Sequence, residues 1–425
     1  MKLVCGPVTT DFPQVPGDTI RVILYGQPGA DAHASAGEAA SEEIRRAKLD
    51  VAPRAWDLLS LALSVVTADL AALRDHSPDG WTREIELEIA VADPEFWNSQ
   101  RTAIENALSF LTTDLWRVRF RGGGWLPAQP REVVRPAEDC VALLSGGLDS
   151  FVGAVDLAAA GRKPLAVSQV VRGDASKQST FASSIARGLR HLQLNHNASP
   201  PGEEESSQRA RSLIFLAFGT LAATTLSRYQ VGETVPVFVC ENGFIAINPP
   251  LTGGRLGSLS TRTAHPEFLA RFQDLLRAAG LRVRVENPYR LVTKGEMLRG
   301  CADQALLRTY AATTTSCGRY QRFNYKHCGR CVPCQVRRAA FLAWGVTDTT
   351  EYIYELLGTD DSEHASFDDV RAVAMAIAAV ESDGIDAWVA PALNHPRVGD
   401  AAHLKSLVLR GLAELAALHR SYSVK

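Results

Sequence analysis

VALLSGGLDSFVGA, residues 141–154, is the stretch on which the fold turns. Val141 to Leu144 form a short, wholly apolar run of the kind that makes a buried strand. Phe151, Val152, Ala154, Val155 and Leu157 recur at helical spacing. Between them lies Ser145-Gly146-Gly147-Leu148-Asp149-Ser150. A strand that turns directly into a helix leaves backbone N–H groups unpaired at the helix start, and these groups and the helix dipole attract anions. Glycine lets the backbone approach a phosphate with no Cβ in the way. Hydroxyls at Ser145 and Ser150 add hydrogen bonds, and a carboxylate at Asp149 suits magnesium. The stretch reads as a phosphate cradle, but not of the Walker type, because the chain contains no GxxxxGK[ST] run.

Working outward, strand and helix patterns alternate. Strands are predicted at 140–144, 164–171, 235–240 and 281–286, and helices at 150–160, 176–191, 207–228 and 266–279. That rhythm implies a parallel sheet covered by helices, with ligands at the carboxyl ends of its strands. Upstream, a strand is predicted at 19–25 and a loop through 26–43. A helix at 54–74, a strand at 83–92, a helix at 95–112 and a strand at 115–120 complete an N-terminal α+β domain, residues 1–136. Downstream of a middle domain at 137–345, residues 346–425 read as a helical extension containing AVAMAIAAVE and HLKSLVLRGLAELAALH.

The 425 residues carry a formal charge of −2, which excludes a global basic field for nucleic acid. No apolar run is long enough to span a membrane, and the start lacks a signal-peptide layout, so a cytoplasmic location is expected. Of eight cysteines, Cys5, Cys140, Cys240 and Cys301 are scattered, whereas Cys317, Cys328, Cys331 and Cys334 crowd together. The spacing C-x10-C-x2-C-x2-C suits four thiolates around one zinc ion. An iron–sulfur cluster is the rival, but the ferredoxin run would need a cysteine where Arg338 stands. His327 is read as a bystander. Arg319, Arg322, Lys326, Arg330, Arg337 and Arg338, interleaved with Tyr320, Phe323 and Tyr325, suit either phosphate or RNA contact or a solvated basic face, and the solvated face is favoured.

SGGLDS at a strand end, followed by the four-cysteine run, resembles the PP-loop ATP pyrophosphatases. It is more narrowly similar to the QueC branch, the 7-cyano-7-deazaguanine synthases. The shared motifs are Cys328-Gly329-Arg330-Cys331-Val332-Pro333-Cys334-Gln335-Val336-Arg337 and Thr293-Lys294-Gly295-Glu296-Met297. The resemblance covers roughly residues 138–345. The added segments on either side, and a loop at 241–268 unlike that of a standalone QueC, look more like the QueC-like components of anti-phage systems, QatC of Qat systems and the QueC-like protein of CBASS.

The resemblance implies an adenine-nucleotide-alpha-hydrolase-like α/β fold with a four-cysteine zinc motif, and ATP, Mg2+ and Zn2+ as cofactors. It implies activation of a 7-carboxy-7-deazaguanine-like acid by adenylation and transfer to an amine, either a partner protein's N-terminus or ammonia, the latter leading to preQ0. A tRNA-modifying enzyme and a non-catalytic scaffold are the alternatives. Ser145, Gly146, Gly147, Leu148, Asp149 and Ser150 would hold the phosphates, with Asp149, Ser150 and Lys294 in catalytic roles. Arg211 (and, less so, Arg209), Glu241 and Asn242 are candidates for substrate contact, as are Arg262 and His265 in a polar run that begins at Ser260 and Thr261. Residues 1–136 are expected to dock a partner.

Overall fold

The computed structural model describes residues 1–9, 19–27, 34–170, 173–252, 262–357, 367–394, 397 and 399–424. Ser260 and Thr261 lie outside them. Two five-stranded sheets are present, and every described strand pair in them is parallel. The N-terminal sheet comprises β1 (Lys2–Pro7), β2 (Thr19–Leu24), β3 (Ala34–Ala36), β4 (Glu84–Ala90) and β5 (Leu115–Arg121), in the order β3-β2-β1-β4-β5. The expected α+β unit thus takes the form of a second parallel sheet. The reading of 26–43 as a loop is corrected by β3 and by the Glu38–Arg46 helix. The predicted helix at 95–112 is two helices, Pro94–Ser99 and Arg101–Thr112, divided at Gln100. Their polar side chains protect the free edge of β5: Asn98 Oδ1 accepts the Phe120 N–H at 3.1 Å, and Glu105 Oε1 accepts that of Val118 at 2.9 Å. An edge strand satisfied in this way cannot template pairing with another chain.

The second sheet comprises β6 (Cys140–Leu143), β7 (Pro164–Gln169), β8 (His191–Leu194), β9 (Val235–Phe238) and β10 (Val283–Glu286), in the order β10-β9-β6-β7-β8. Every residue of β6, β7 and β9 is buried, as parallel strands covered on both faces require. The predicted helix at 176–191 ends at Ser184, and the chain then supplies β8.

One helix joins the sheets. Pro53–Ala71 packs on the N-terminal sheet and also against the Arg211–Thr225 helix, which covers β6, β7 and β9. Every residue from Ala55 to Ala71 is buried, and a single hydrophobic cluster runs through both sheets. The polar residues of this helix all find partners, as burial demands. Ser60, Ser64 and Thr67 donate to the carbonyls of Trp56, Ser60 and Leu63. Asp57 accepts from Ala92 N and Trp97 Nε1. Asp69 pairs with Arg83 at 2.6 Å and accepts the Arg209 and Ala210 N–H groups across the junction.

The C-terminal extension forms the helices Phe367–Asp383, Ile385–Leu393 and Ala401–Ser421. These share a second core with Phe244, Ile247, Val332 and Val336, so the extension packs on the middle domain. Among the described residues, no helix is long and apolar enough to cross a membrane.

Candidate active site

β6 lies in the middle of its sheet and ends at Leu143. Ser145 to Gly147 turn the chain into the Leu148–Ala159 helix at the carboxyl end of the sheet. The turn is tightly specified. Gly146 has φ +87°, a left-handed conformation that glycine adopts without strain. A Cβ on Gly147 would stand 3.2 Å from Ser145 Oγ and 3.3 Å from the Thr315 carbonyl. Ser150 Oγ lies 3.0 Å from Ser145 Oγ and accepts the Ser145 N–H at 3.1 Å, and Ser145 Oγ accepts the Gly147 N–H at 3.3 Å. The first helical turn presents Leu148, Asp149 and Ser150, the region whose N–H groups a helix leaves without internal partners.

Asp149 is buried, and its two oxygens are engaged by protein donors. Lys294 Nζ lies 2.6 Å from Oδ1. Oδ2 accepts from Asn242 Nδ2 at 2.7 Å and from the Asn242 N–H at 3.1 Å. Burial alone would raise the Asp149 pKa, but the charge of Lys294 and the hydrogen bonds from Glu241, Lys294 and Asn242 outweigh it and hold the carboxyl below its ordinary range. Glu241 moves the other way. Burial first, then the Asp149 charge, push its pKa well above the usual carboxylate value. The two carboxyls are thus pushed apart, the negative charge being favoured on Asp149 and disfavoured on Glu241.

Lys294 is not a surface lysine, since it is 7% exposed at the first residue of the Lys294–Gly300 helix. Thr293 caps that helix in a reciprocal capping box with Glu296. Asn242 caps the Gly243–Ala246 helix through Ile245 N. Its polar atoms are spent on this cap and on Asp149, so its place is beside the PP-loop carboxylate, with no edge left to read a purine.

The remaining candidates lie in different surroundings. Arg211 opens the Arg211–Thr225 helix, with Asp174 and His196 as charge neighbours. Arg209, by contrast, is buried over the Trp81 ring at 4.7 Å, in the junction with the N-terminal unit. Arg262 donates to the Phe110 carbonyl at 2.9 Å and covers the Phe110 ring. His265 is 2% exposed and caps the Pro266–Ala278 helix, its Nδ1 accepting the Glu267 N–H. In this structure Arg262 packs against the N-terminal unit and His265 caps a helix, and neither of these hydrogen bonds reaches the SGGLDS turn.

Sequence reading missed a polar cluster at the mouth of the turn. Lys177, in the first turn of the Ala175–Ser184 helix, reaches Tyr320 OH at 2.7 Å, Thr315 Oγ1 at 2.9 Å and Asp174 Oδ1 at 3.4 Å. Thr315 Oγ1 donates to Asp174 Oδ1 at 2.8 Å, and its N–H donates to the Gly146 carbonyl at 3.0 Å. The available signal was DASKQ after the second strand of the sheet, a carboxyl end equivalent to that of SGGLDS.

Thr315 also connects the turn to the cysteines. The Sγ atoms of Cys317, Cys328, Cys331 and Cys334 all lie within 4.8 Å of one another and are buried. Cys317–Cys331 and Cys328–Cys334 are separated by 3.8 and 3.9 Å. Four thiolates about 2.3 Å from a tetrahedral zinc stand about 3.8 Å apart, so the donor set fits the ion. Backbone N–H groups of Arg319 and Cys328 point at Cys317 Sγ, and that of Cys331 at Cys328 Sγ, which suits thiolate charge. His327 faces elsewhere, its Nε2 accepting the Ser316 N–H.

The basic residues around the cysteines divide: Arg322 and Lys326 are exposed, as a solvated face requires, and Arg319 is half-buried, but the other three are not solvated. Arg330, Arg337 and Arg338 are buried. Arg337 spends its donors on Thr350, Thr314, Ser316 and the Ala311 carbonyl. It thereby ties the Val332–Trp344 helix, which carries Cys334, to the segment lying on the PP-loop.

Comparison with known proteins agrees with this geometry. The family described as Queuosine biosynthesis protein QueC matches residues 263–345. The 7-cyano-7-deazaguanine synthase of Agrobacterium fabrum is 28% identical over 237 residues, which is 50% of this chain and 91% of that protein. The 7-cyano-7-deazaguanine synthases of Cupriavidus taiwanensis and Methanococcus aeolicus are 40% and 32% identical over 94 and 90 residues. Each match takes in 20% of this chain, and 39% and 38% of those two proteins respectively. The chain is QueC-like.

Proposed function

We propose that this protein is an ATP-dependent ligase. It adenylates a 7-carboxy-7-deazaguanine-like carboxylate and transfers the acyl group to an amine, the N-terminus of a partner protein in an anti-phage defence system of the Qat or CBASS kind. The observation that carries the reading is the intact PP-loop turn with the buried Asp149–Lys294 pair behind it.

A carboxylate is a poor electrophile because its leaving group would be oxide. Its oxygen attacks the α-phosphorus of ATP, the bond to the bridging oxygen breaks, and pyrophosphate leaves. The amine then attacks the acyl-adenylate, forms the amide, loses a proton and releases AMP. The chain's task is to hold charge on the departing pyrophosphate with donors already in place. Ser145, Gly146, Gly147, Leu148 and Ser150 supply them, Lys294 adds a cation and Asp149 positions it. Magnesium, when bound with ATP, neutralises phosphate charge.

The relatives' name, 7-cyano-7-deazaguanine synthase, supports a second reading in which ammonia takes the acyl group to give a primary amide. A second ATP then activates the amide oxygen, so that its departure leaves the nitrile. The N-terminal sheet favours the protein acceptor, since ammonia needs no docking surface. That sheet is fused to the middle domain through a common core, and its strands β4 and β5 carry outward-facing Glu86, Glu88, Arg117 and Arg119.

The test is intact-mass spectrometry of the protein encoded beside this gene after co-expression. A deazaguanine-sized adduct that disappears with Asp149→Ala supports the ligase. An unmodified neighbour, with nitrile formed from free acid and ammonia, supports the second reading. Assembly and protection unchanged by Asp149→Ala would leave only a scaffold.

A further inference from the structure

The Ala401–Ser421 helix lies far along the chain from SGGLDS, yet it touches both elements that hold Asp149. Thr293 Oγ1 donates to Glu414 Oε1, and the Gly295 N–H donates to Glu414 Oε2 at 3.3 Å. A Cβ on Gly295 would stand 2.4 Å from Glu414 Oε1 and 2.7 Å from Ala343 Cβ, so the carboxylate occupies the space where a side chain would be. One turn earlier, Arg410 Nε reaches Glu296 Oε1 at 2.6 Å and Nη2 reaches the Leu291 carbonyl at 2.8 Å. Arg410 and Glu414 thus grip the capping box on both sides of Lys294.

The same face of the helix seats Asn242's element. A Cβ on Gly243 would come 2.9 Å from Leu407 Cδ2, and one on Gly411 would come 2.3 Å from the Phe244 ring. Leu407, Arg410, Gly411 and Glu414 follow one another at the spacing of one helical stripe. That stripe sets the position of the Lys294 helix and the Asn242 helix together, and Asp149 receives a donor from each.

We propose that Glu414 is a positioning residue for Lys294, and that the C-terminal helix is thereby part of the ATP site. The proposal rests on the reading of Lys294 as the phosphate-facing lysine. Glu414 offers two acceptors to groups on either side of Lys294, one of them an otherwise orphaned N–H of the first helical turn. With both ends of the capping box fixed, the Lys294 side chain is directed at Asp149.

The experiment compares Glu414→Ala and Glu414→Gln with the unaltered full chain. The rate at which Lys294 is acetylated by an amine-acylating reagent is read by peptide mass spectrometry, beside Lys177 as an internal reference. Loss of the two hydrogen bonds is expected to speed Lys294 labelling about tenfold in Glu414→Ala, with Lys177 unchanged. ATP turnover is expected to fall about 100-fold in kcat, with a smaller change in KM, because the misplacement acts on the reacting geometry. Glu414→Gln, which keeps the shape and one acceptor, should recover part of both effects. If Glu414→Ala fails to fold, Arg410→Met tests the same grip. Lys294 labelling and kcat unchanged in a folded variant would overturn the proposal. If the unaltered protein turns over no ATP, the functional reading fails, while the labelling still decides whether Glu414 positions Lys294.

Discussion

Lys294 and Asp149 are 145 positions apart in the chain and form a buried ion pair at 2.6 Å behind the PP-loop turn. Each stands in the first turn of a helix, and each is less than a tenth exposed. Breaking a buried pair by removing one partner costs about 3–5 kcal/mol, because the other charge is left uncompensated. Lys294→Met and Asp149→Asn are each expected to destabilise strongly in thermal unfolding. The double variant should be more stable than the sum of the two losses, which a double-mutant cycle measures. ATP-dependent pyrophosphate release should fall by about 100-fold or more in both single variants.

Glu241 gives a pH signature. Its pKa is raised above 4.5 by burial and then by Asp149, so the folded protein keeps a proton that the unfolded chain releases. The stability present below the unfolded value is lost as pH rises towards the folded value. Glu241→Gln removes that loss. Relative to the unaltered protein, its stability should improve steadily from about pH 4.5 upward and level off once the folded pKa is passed. A constant difference at every pH would contradict the assignment. Asp149, with its pKa lowered, contributes with the opposite sign. Its stabilisation is present above the ordinary carboxylate value and is lost as pH falls through the folded one.

Gly147 separates function from stability. A Cβ there meets Ser145 Oγ and the Thr315 carbonyl at distances that require shifts of a few tenths of an ångström. Gly147→Ala should cost about 1 kcal/mol or less in unfolding. It should weaken nucleotide binding, measured calorimetrically, by a larger factor than that cost accounts for. Gly146→Ala should cost about 1–2 kcal/mol, because alanine is strained at φ +87°.

The cysteine cluster should carry about one zinc per chain in protein purified without added metal. Iron with visible absorbance would contradict this. Cys328→Ser should release the metal and loosen the segment from Thr314 to Ser316 that Arg337 holds and that pairs with Gly146. Hydrogen exchange is expected to rise at both the cysteine loop and the PP-loop. Exchange confined to the cysteine loop would show that Thr315 transmits nothing to the turn.

Much of this site was legible in the chain. SGGLDS announces itself because a strand, a glycine turn and a helix start are local, and the cysteines do so because ligand spacing is local. The helix Pro53–Ala71 was also visible from its apolar period. The short strands β1, β3 and β8 were not: Lys2–Pro7 lacks alternation, Ala34–Ala36 has too few residues for a period, and His191–Leu194 continued an apparently helical run. The packing and capping contacts of Arg262 and His265 were hidden for a related reason. A polar residue before a helix reads the same whether it faces a ligand or caps the helix.

The sequence by itself determined where the glycine turn and the four clustered cysteines lie and which regions alternate strand with helix. Local backbone geometry and ligand chemistry act over a few residues, and so leave a readable pattern. Only the tertiary structure decided that Lys294 is buried on Asp149, that Thr315 pairs with the PP-loop and that Glu414 grips the capping box. These contacts join residues more than 100 positions apart. They depend on how helices pack on a sheet, which no local spacing records.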